Sequence, residues 1–266
     1  MLGAGRRVAI AWLNAGVGLG TVSAESANAQ SLPRDLSIVA APAPSSPLPT
    51  PSTPAASAAR SRPGFRRQPA SHPRLLQHFV PELQHLRFGK PIQISNNNAA
   101  NVAEGGGGDG VASMGQQLEI AATFVWSKAV PAAARGDGHG ARFGVAVFVS
   151  DDRAESTSVT VDTARQVVCV NGTMQGNDTP RCGVFADASR SDLAMVTTTM
   201  HMYIDASTIE VIVDQYVAIT ACVNPSSANA DGIMIFGGDG GRIDRRHRSG
   251  GSGVNATAEV WRLRPI

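Results

Sequence analysis

The chain has 266 residues, 42% of them hydrophobic, and a formal net charge of +2. That length suffices for one large domain or two small ones with a packed core. The charge is too small to point to a nucleic-acid partner, and no apolar run is long enough to predict a membrane span.

Taken in chain order, the N-terminus admits two readings. Arg6 and Arg7 precede an apolar run from Val8 to Leu19, and Ser26-Ala27-Asn28-Ala29-Gln30 offers a small-residue cleavage site. That is the outline of a secretory leader, which would make the protein extracellular. Asn14 and several glycines interrupt the run and weaken this reading. Residues 41–73 are dominated by Pro, Ser and Ala. Such a segment buries too little apolar area to offset its ordering entropy, and it reads as a linker or disordered insertion. Residues 95–115, with NNNAAN and GGGGDG, and residues 242–253, RIDRRHRSGGSG, read as loop expansions.

Between the first two of these lies the one helical candidate, residues 80–87. Pro81 suits a first-turn position, where its missing N–H costs nothing, and Val80, Leu83 and Leu86 would share a face. From residue 116 onward the pattern is β. Residues 117–126 put Leu118, Ile120, Ala122, Phe124 and Trp126 on one face at period two. Residues 142–149 repeat it with Phe143, Val145, Val147 and Val149. Short strands are predicted around Val159 and Val161, over 167–170 and over 182–185. Residues 200–204, 208–213 and 216–223 are rich in β-branched side chains and are separated by Asp205-Ala206-Ser207 and Asp214-Gln215. Short polar turns between such runs predict antiparallel hairpins. Residues 232–236 and 257–263 complete about ten short strands, the signature of a β-sandwich of two antiparallel sheets.

Candidate chemistry is sparse. Cys169, Cys182 and Cys222 lack metal-ligand spacing. Cys169 and Cys182 fall on neighbouring predicted strands and would pair in an oxidising compartment, but three buried free thiols is the expectation from the burial habit of Cys. Gly105 to Gly110 resembles a phosphate loop only in glycine content. His78 and His85 have no acidic partner at ligand spacing. Arg135-Gly136-Asp137 reads as a chance tripeptide, and Arg245-Arg246-His247-Arg248 as a solvated basic run. Asn171, Asn177 and Asn255 begin N-x-S/T sequons, which matter only in a secreted chain. Asp205 and Glu210 are the nearest thing to a carboxylate pair. Asp205 suits a turn, and Glu210, mid-strand, is expected to face solvent or pair with an Arg. No catalytic, cofactor-binding or metal-binding residue is assigned, and no cofactor is expected.

Several separated segments carry a resemblance. Gly5-Arg6-Arg7-Val8, Trp12-Leu13-Asn14 and Gln30-Ser31-Leu32-Pro33-Arg34-Asp35-Leu36-Ser37-Ile38 come first. Phe79-Val80-Pro81-Glu82-Leu83-Gln84-His85-Leu86-Arg87 follows, then Met202-Tyr203-Ile204-Asp205-Ala206-Ser207-Thr208-Ile209-Glu210-Val211, and finally Glu259-Val260-Trp261-Arg262-Leu263. In this order they resemble the C-terminal portion of glycoside hydrolase family 32, the invertase-like β-fructofuranosidases. The resemblance implies an all-β chain whose C-terminal β-sandwich is preceded by a remnant of the last blade of a five-bladed β-propeller. Residues 1–40 would be that remnant, 41–73 a linker, and 74–266 the sandwich with its core at 116–264. On this reading residues 5–14 continue a blade and are not a leader.

In the family, hydrolysis of sucrose or fructans needs two carboxyl groups about 5 Å apart. They lie in N-D-P-N-G and E-C motifs, and an R-D-P motif holds sugar hydroxyls. None of the three occurs here. The Trp that usually precedes the Ser-Leu-Pro-Arg strand is also missing near Ser26. The expectation is a glycosidase-family portion inactive alone, with packing on a propeller or self-association as its contacts. The rival is a non-catalytic carbohydrate-binding or protein-interaction sandwich that takes a β-fructoside weakly or not at all. Neither reading calls for nucleic acid or a membrane.

Overall fold

The computed structural model describes residues 6–13, 29–39, 74–96, 112–127, 141–172, 180–185, 195–223, 225–227, 229–238 and 254–264. The Pro/Ser/Ala-rich stretch 41–73 and the basic loop 242–253 lie outside them. In order, the strands are β1 (Val8–Ala9), β2 (Trp12–Leu13), β3 (Ala29–Gln30), β4 (Arg34–Val39), β5 (Arg74–Phe79), β6 (Arg87–Ser95), β7 (Ala112–Ser113), β8 (Gln117–Ser127) and β9 (Arg142–Val149). They continue with β10 (Thr157–Asp162), β11 (Val167–Gly172), β12 (Arg181–Val184), β13 (Met195–Asp205), β14 (Thr208–Val213), β15 (Val217–Cys222), β16 (Gly232–Gly238) and β17 (Val254–Leu263).

Two six-stranded antiparallel sheets form the sandwich. The front sheet has the order β15-β14-β13-β8-β17-β6, and the back sheet β12-β11-β10-β9-β16-β7. One apolar cluster fills the space between them, with Phe124 of the front sheet against Phe143 of the back, ring centroids 4.9 Å apart. The alternation that predicts β8 is realised: Leu118, Ile120, Ala122, Phe124 and Trp126 are all buried in this cluster. β12 reaches across to the edge of the front sheet. A Cβ on Gly183 would fall 2.7 Å from Val217 Cγ1, so the absence of a side chain permits that approach.

Three departures from the sequence reading have local causes. In β9 the register against β16 slips, and Phe148 takes a φ of +52°. The bulge re-phases the strand, so Phe148 joins the core cluster and Val149, though buried, does not. The 95–115 stretch is not loop throughout: Ala112–Ser113 pairs with β16, and Met114 is buried in the core. β6, which no alternation announces, lines the edge of the front sheet through β17. Its Gly89 and Pro91 are tolerated because an edge strand has one unpaired side.

The helical candidate is a 3-10 helix, Pro81–Leu86, with Pro in its first turn. Spacing of three matches its repeat, and Leu83 packs inward from it. Ahead of it stand a three-stranded sheet, β1-β4-β5, and a two-stranded ribbon of β2 and β3. Residues 8–13, one reading of which was a leader, are paired here: Val8 lies opposite Asp35, and Trp12 opposite Gln30.

Candidate functional site

The chemically distinctive residues gather on the outer face of the front sheet, where the small N-terminal sheet lies against it. Strand alternation directs Glu119, His201, Tyr203, Glu210 and Ile212 to this face, because their neighbours on each strand fill the core. Phe79, at the end of β5, drops onto them. Its ring meets Tyr203 edge-on at 4.7 Å and His201 at 5.1 Å. Phe79, Tyr203 and Ile212 form a second buried cluster, with Leu32, Leu83, Ala218 and Leu263 packed around it. A backbone bond fastens the two parts together: Gln77 N–H donates to Gln215 O at 2.8 Å.

Around this cluster stand three charge assemblies. Glu210 accepts from the backbone N–H of Leu32 and from the Arg34 guanidinium at 2.7 Å, and Arg34 also donates to Thr220 Oγ1 at 2.6 Å. Burial pushes the Glu210 carboxyl up, against the opposing pull of Arg34 and Leu32. Glu119 is fully buried. Arg87 grips it with two bonds of 2.7 Å, and His201 Nε2 lies 2.8 Å from its Oε1. Burial works against its ionisation, but Arg87 and His201 outweigh that and hold its carboxyl at about 2. Arg87 also stacks on Trp261, 3.9 Å from the ring centroid. Burial and the neighbouring Glu119 push the Tyr203 phenol well above its usual range. At the rim, Arg6 bridges Asp35 at 2.6 Å and the Glu82 carboxylate, which holds Glu82 at about 2.

These contacts give the separated sequence segments a shared location. Arg6, Leu32 with Arg34, Glu82 with Arg87, Glu210 and Trp261 each come from a different one of them, and all meet here. Of the two alternatives expected for Glu210, pairing with an Arg is the one realised. Asp205 accepts from Gln117 Nε2 at 2.9 Å, and Ala206, at a φ of +48° in the turn, donates to Gln116 O, which ties the turn to the residue ahead of β8. Asp205 and Glu210 thus lie on one face but answer to different partners. Glu119 was missed by sequence reasoning. An acid between Leu118 and Ile120 falls on the polar face of an amphipathic strand, and nothing local says that the face is covered.

The cysteines correct an expectation. Cys169 and Cys182 face each other across β11 and β12 and form a disulfide, so the three-thiol reading fails; Cys222 is free. The directly opposed register brings the two side chains together. Among the described residues no group of three or more His, Cys, Asp or Glu is placed to hold a metal, and no helix is long and apolar enough to cross a membrane.

The fold and site define a β-sandwich whose outer face is a docking floor built from paired charges and aromatic rings. The chain belongs to glycosyl hydrolase family 32: the model of the family's C-terminal region matches residues 82–261. A search of curated proteins finds no match. Among solved structures, the chain is similar to an exo-inulinase from Aspergillus awamori (TM-score 0.59, 16% identity), covering 97% of this chain and 40% of that one. It is also similar to a fructofuranosidase from Schwanniomyces occidentalis solved with fructose (TM-score 0.52, 11% identity), covering 97% of this chain and 45% of that one. A β-fructofuranosidase from Aspergillus kawachii solved with glycerol aligns at a TM-score of 0.51 and 16% identity, covering 90% of this chain and 38% of that one. The chain therefore spans less than half the length of these structures.

Proposed function

We propose that this chain supplies the non-catalytic portion of a family 32-type β-fructofuranosidase. Residues 1–40 are the remnant of the last propeller blade, 41–73 a linker, and 74–266 the sandwich. Sucrose or fructan hydrolysis then depends on a propeller carrying the carboxylates, and this span alone is inactive. The supporting observation is the apolar character of the small N-terminal sheet. Ile38 and Leu75, opposite each other on one face, are 63% and 47% exposed. Val8, whose register puts it with Val39 on the other face, is 49% exposed, and the adjoining Ile10 58%. A sheet with apolar side chains bare on both faces is built to be an inner layer. A propeller blade flanked by neighbours meets that demand.

The decisive assay is sucrose and inulin hydrolysis by the purified chain. No turnover is expected. Turnover that is lost on replacing a carboxylate within the chain would overturn the proposal. The missing sugar-stacking Trp near Ser26 argues against independent sugar recognition, so calorimetric titration with sucrose, inulin or levan is expected to be flat. A saturating heat would favour the rival carbohydrate-binding module.

A further inference from the structure

We infer that Asn255 is an acceptor for N-linked glycan, displayed on the end of the front sheet's outer face that the other described residues leave uncovered. Two independent observations carry this. The first concerns compartment. The disulfide between Cys169 and Cys182 forms and persists where thiols are oxidised, as along a secretory route. The second concerns geometry. Asn255-Ala256-Thr257 meets the N-x-S/T requirement with a residue other than Pro in the middle. In β17, Val254, Ala256 and Ala258 point into the core, while Asn255 and Thr257 are exposed on the outer face. A sugar on Asn255 therefore leaves the sandwich; on Ala256, one residue away, it would have to displace the core.

Among the described residues the strand neighbours leave room for it. Across the sheet Asn255 faces Val125, and Thr257 faces Thr123 on one side and Ser95 on the other, all short side chains. The aromatic and backbone contacts of β5 fall on β13 and on the turn between β14 and β15: Phe79 meets His201 and Tyr203, and Gln77 meets Gln215. In the order β15-β14-β13-β8-β17 the strand β8 stands between them and β17, a lateral separation of roughly 10 Å from β13 at the usual strand spacing. A glycan at Asn255 thus coexists with the docked sheet. In the transfer, the Asn255 side-chain nitrogen bonds to the anomeric carbon of a lipid-diphosphate-linked oligosaccharide. The bond from that carbon to phosphate oxygen breaks, the lipid diphosphate departs with the electron pair, and one amide proton is released.

Asn171 and Asn177 begin the other two sequons, but their threonines lie outside the described residues. They serve as internal controls. The test is expression of the full chain behind a cleavable secretory leader in a eukaryotic host, followed by peptide-N-glycosidase treatment and peptide mass spectrometry. The expected result is glycan on the Asn255 peptide. Asn255→Gln and Thr257→Ala should each remove one mobility step, and Thr257→Ser should retain it. Secreted, disulfide-bonded chain with an unmodified Asn255 peptide would overturn the site, whatever Asn171 and Asn177 carry. Alkylation of both Cys169 and Cys182 in chain taken directly from the cells that make it would overturn the compartment.

Discussion

The two faces of the front sheet solve burial in opposite ways, and β8 takes part in both. Its inward side chains, Leu118 through Trp126, are apolar and need only shape and volume to pack. Its outward Glu119 is just as buried, yet it is a charge held by Arg87 and His201. Burying an ion costs several kcal/mol, recovered only with good partners. The interior is therefore permissive about which hydrophobe sits where, while the outer face accepts one arrangement. The N-terminal sheet meets this face both ways, through the apolar seat of Phe79 and through Arg34 and the Leu32 N–H on the buried Glu210.

That contrast can be broken most sharply at Glu119. Replacement by Ala removes the fully buried carboxylate and leaves the half-buried Arg87 without its partner; it is expected to cost about 3 kcal/mol in urea denaturation, the low end for breaking a buried pair. Replacing the pair together, Glu119→Leu with Arg87→Met, should recover most of the loss, whereas a core truncation such as Phe124→Ala, of similar cost, has no such rescue. Removing the disulfide with Cys169→Ser and Cys182→Ser should cost about 3 kcal/mol for a loop of this length, with the N-terminal sheet still docked. A tryptic pattern showing loss of that sheet would mean the two regions are not independent.

Acid titration sharpens the comparison further. Glu119 is held at about 2, below its ordinary value of 4.5, so its contribution is complete above 4.5 and is lost as pH falls toward 2. Glu210 is shifted upward, so its contribution is present below the ordinary value and is lost as pH rises through the folded one. Glu119→Gln should therefore flatten the decline in stability below pH 4.5, and Glu210→Gln should leave that decline in place. The smallest effect is expected at the rim. Arg6→Gln breaks exposed, screened pairs and should leave the denaturation midpoint where it was.

The sandwich was legible because period-two alternation in β8, β9 and the β13–β14–β15 hairpins reports burial directly. β6 was not, because an edge strand with Gly89 and Pro91 has no apolar rhythm to report. The phase of β9 failed at Phe148, where a bulge inverts inside and outside without a local signal. The docking floor was half legible. The segments carrying Arg34, Glu82, Arg87, Glu210 and Trp261 stood out as resemblances, and Glu210 was expected to find an Arg. What joins them is tertiary: Arg34 and Glu210 are 176 residues apart, and no local pattern encodes a partner at that distance. Pairing of Cys169 with Cys182 likewise required the register, which spacing alone leaves open.

The bare apolar side chains on both faces of the N-terminal sheet have a consequence for the life of the chain in a cell. Val8, Ile10, Ile38 and Leu75 are what chaperones grip and what quality-control proteases follow. A copy without an occupant for those faces is expected to be retained or degraded, and a copy with one to survive. Its steady-state amount would then follow the supply of that occupant, so that turnover, before any assay of sugar, would register whether assembly had taken place.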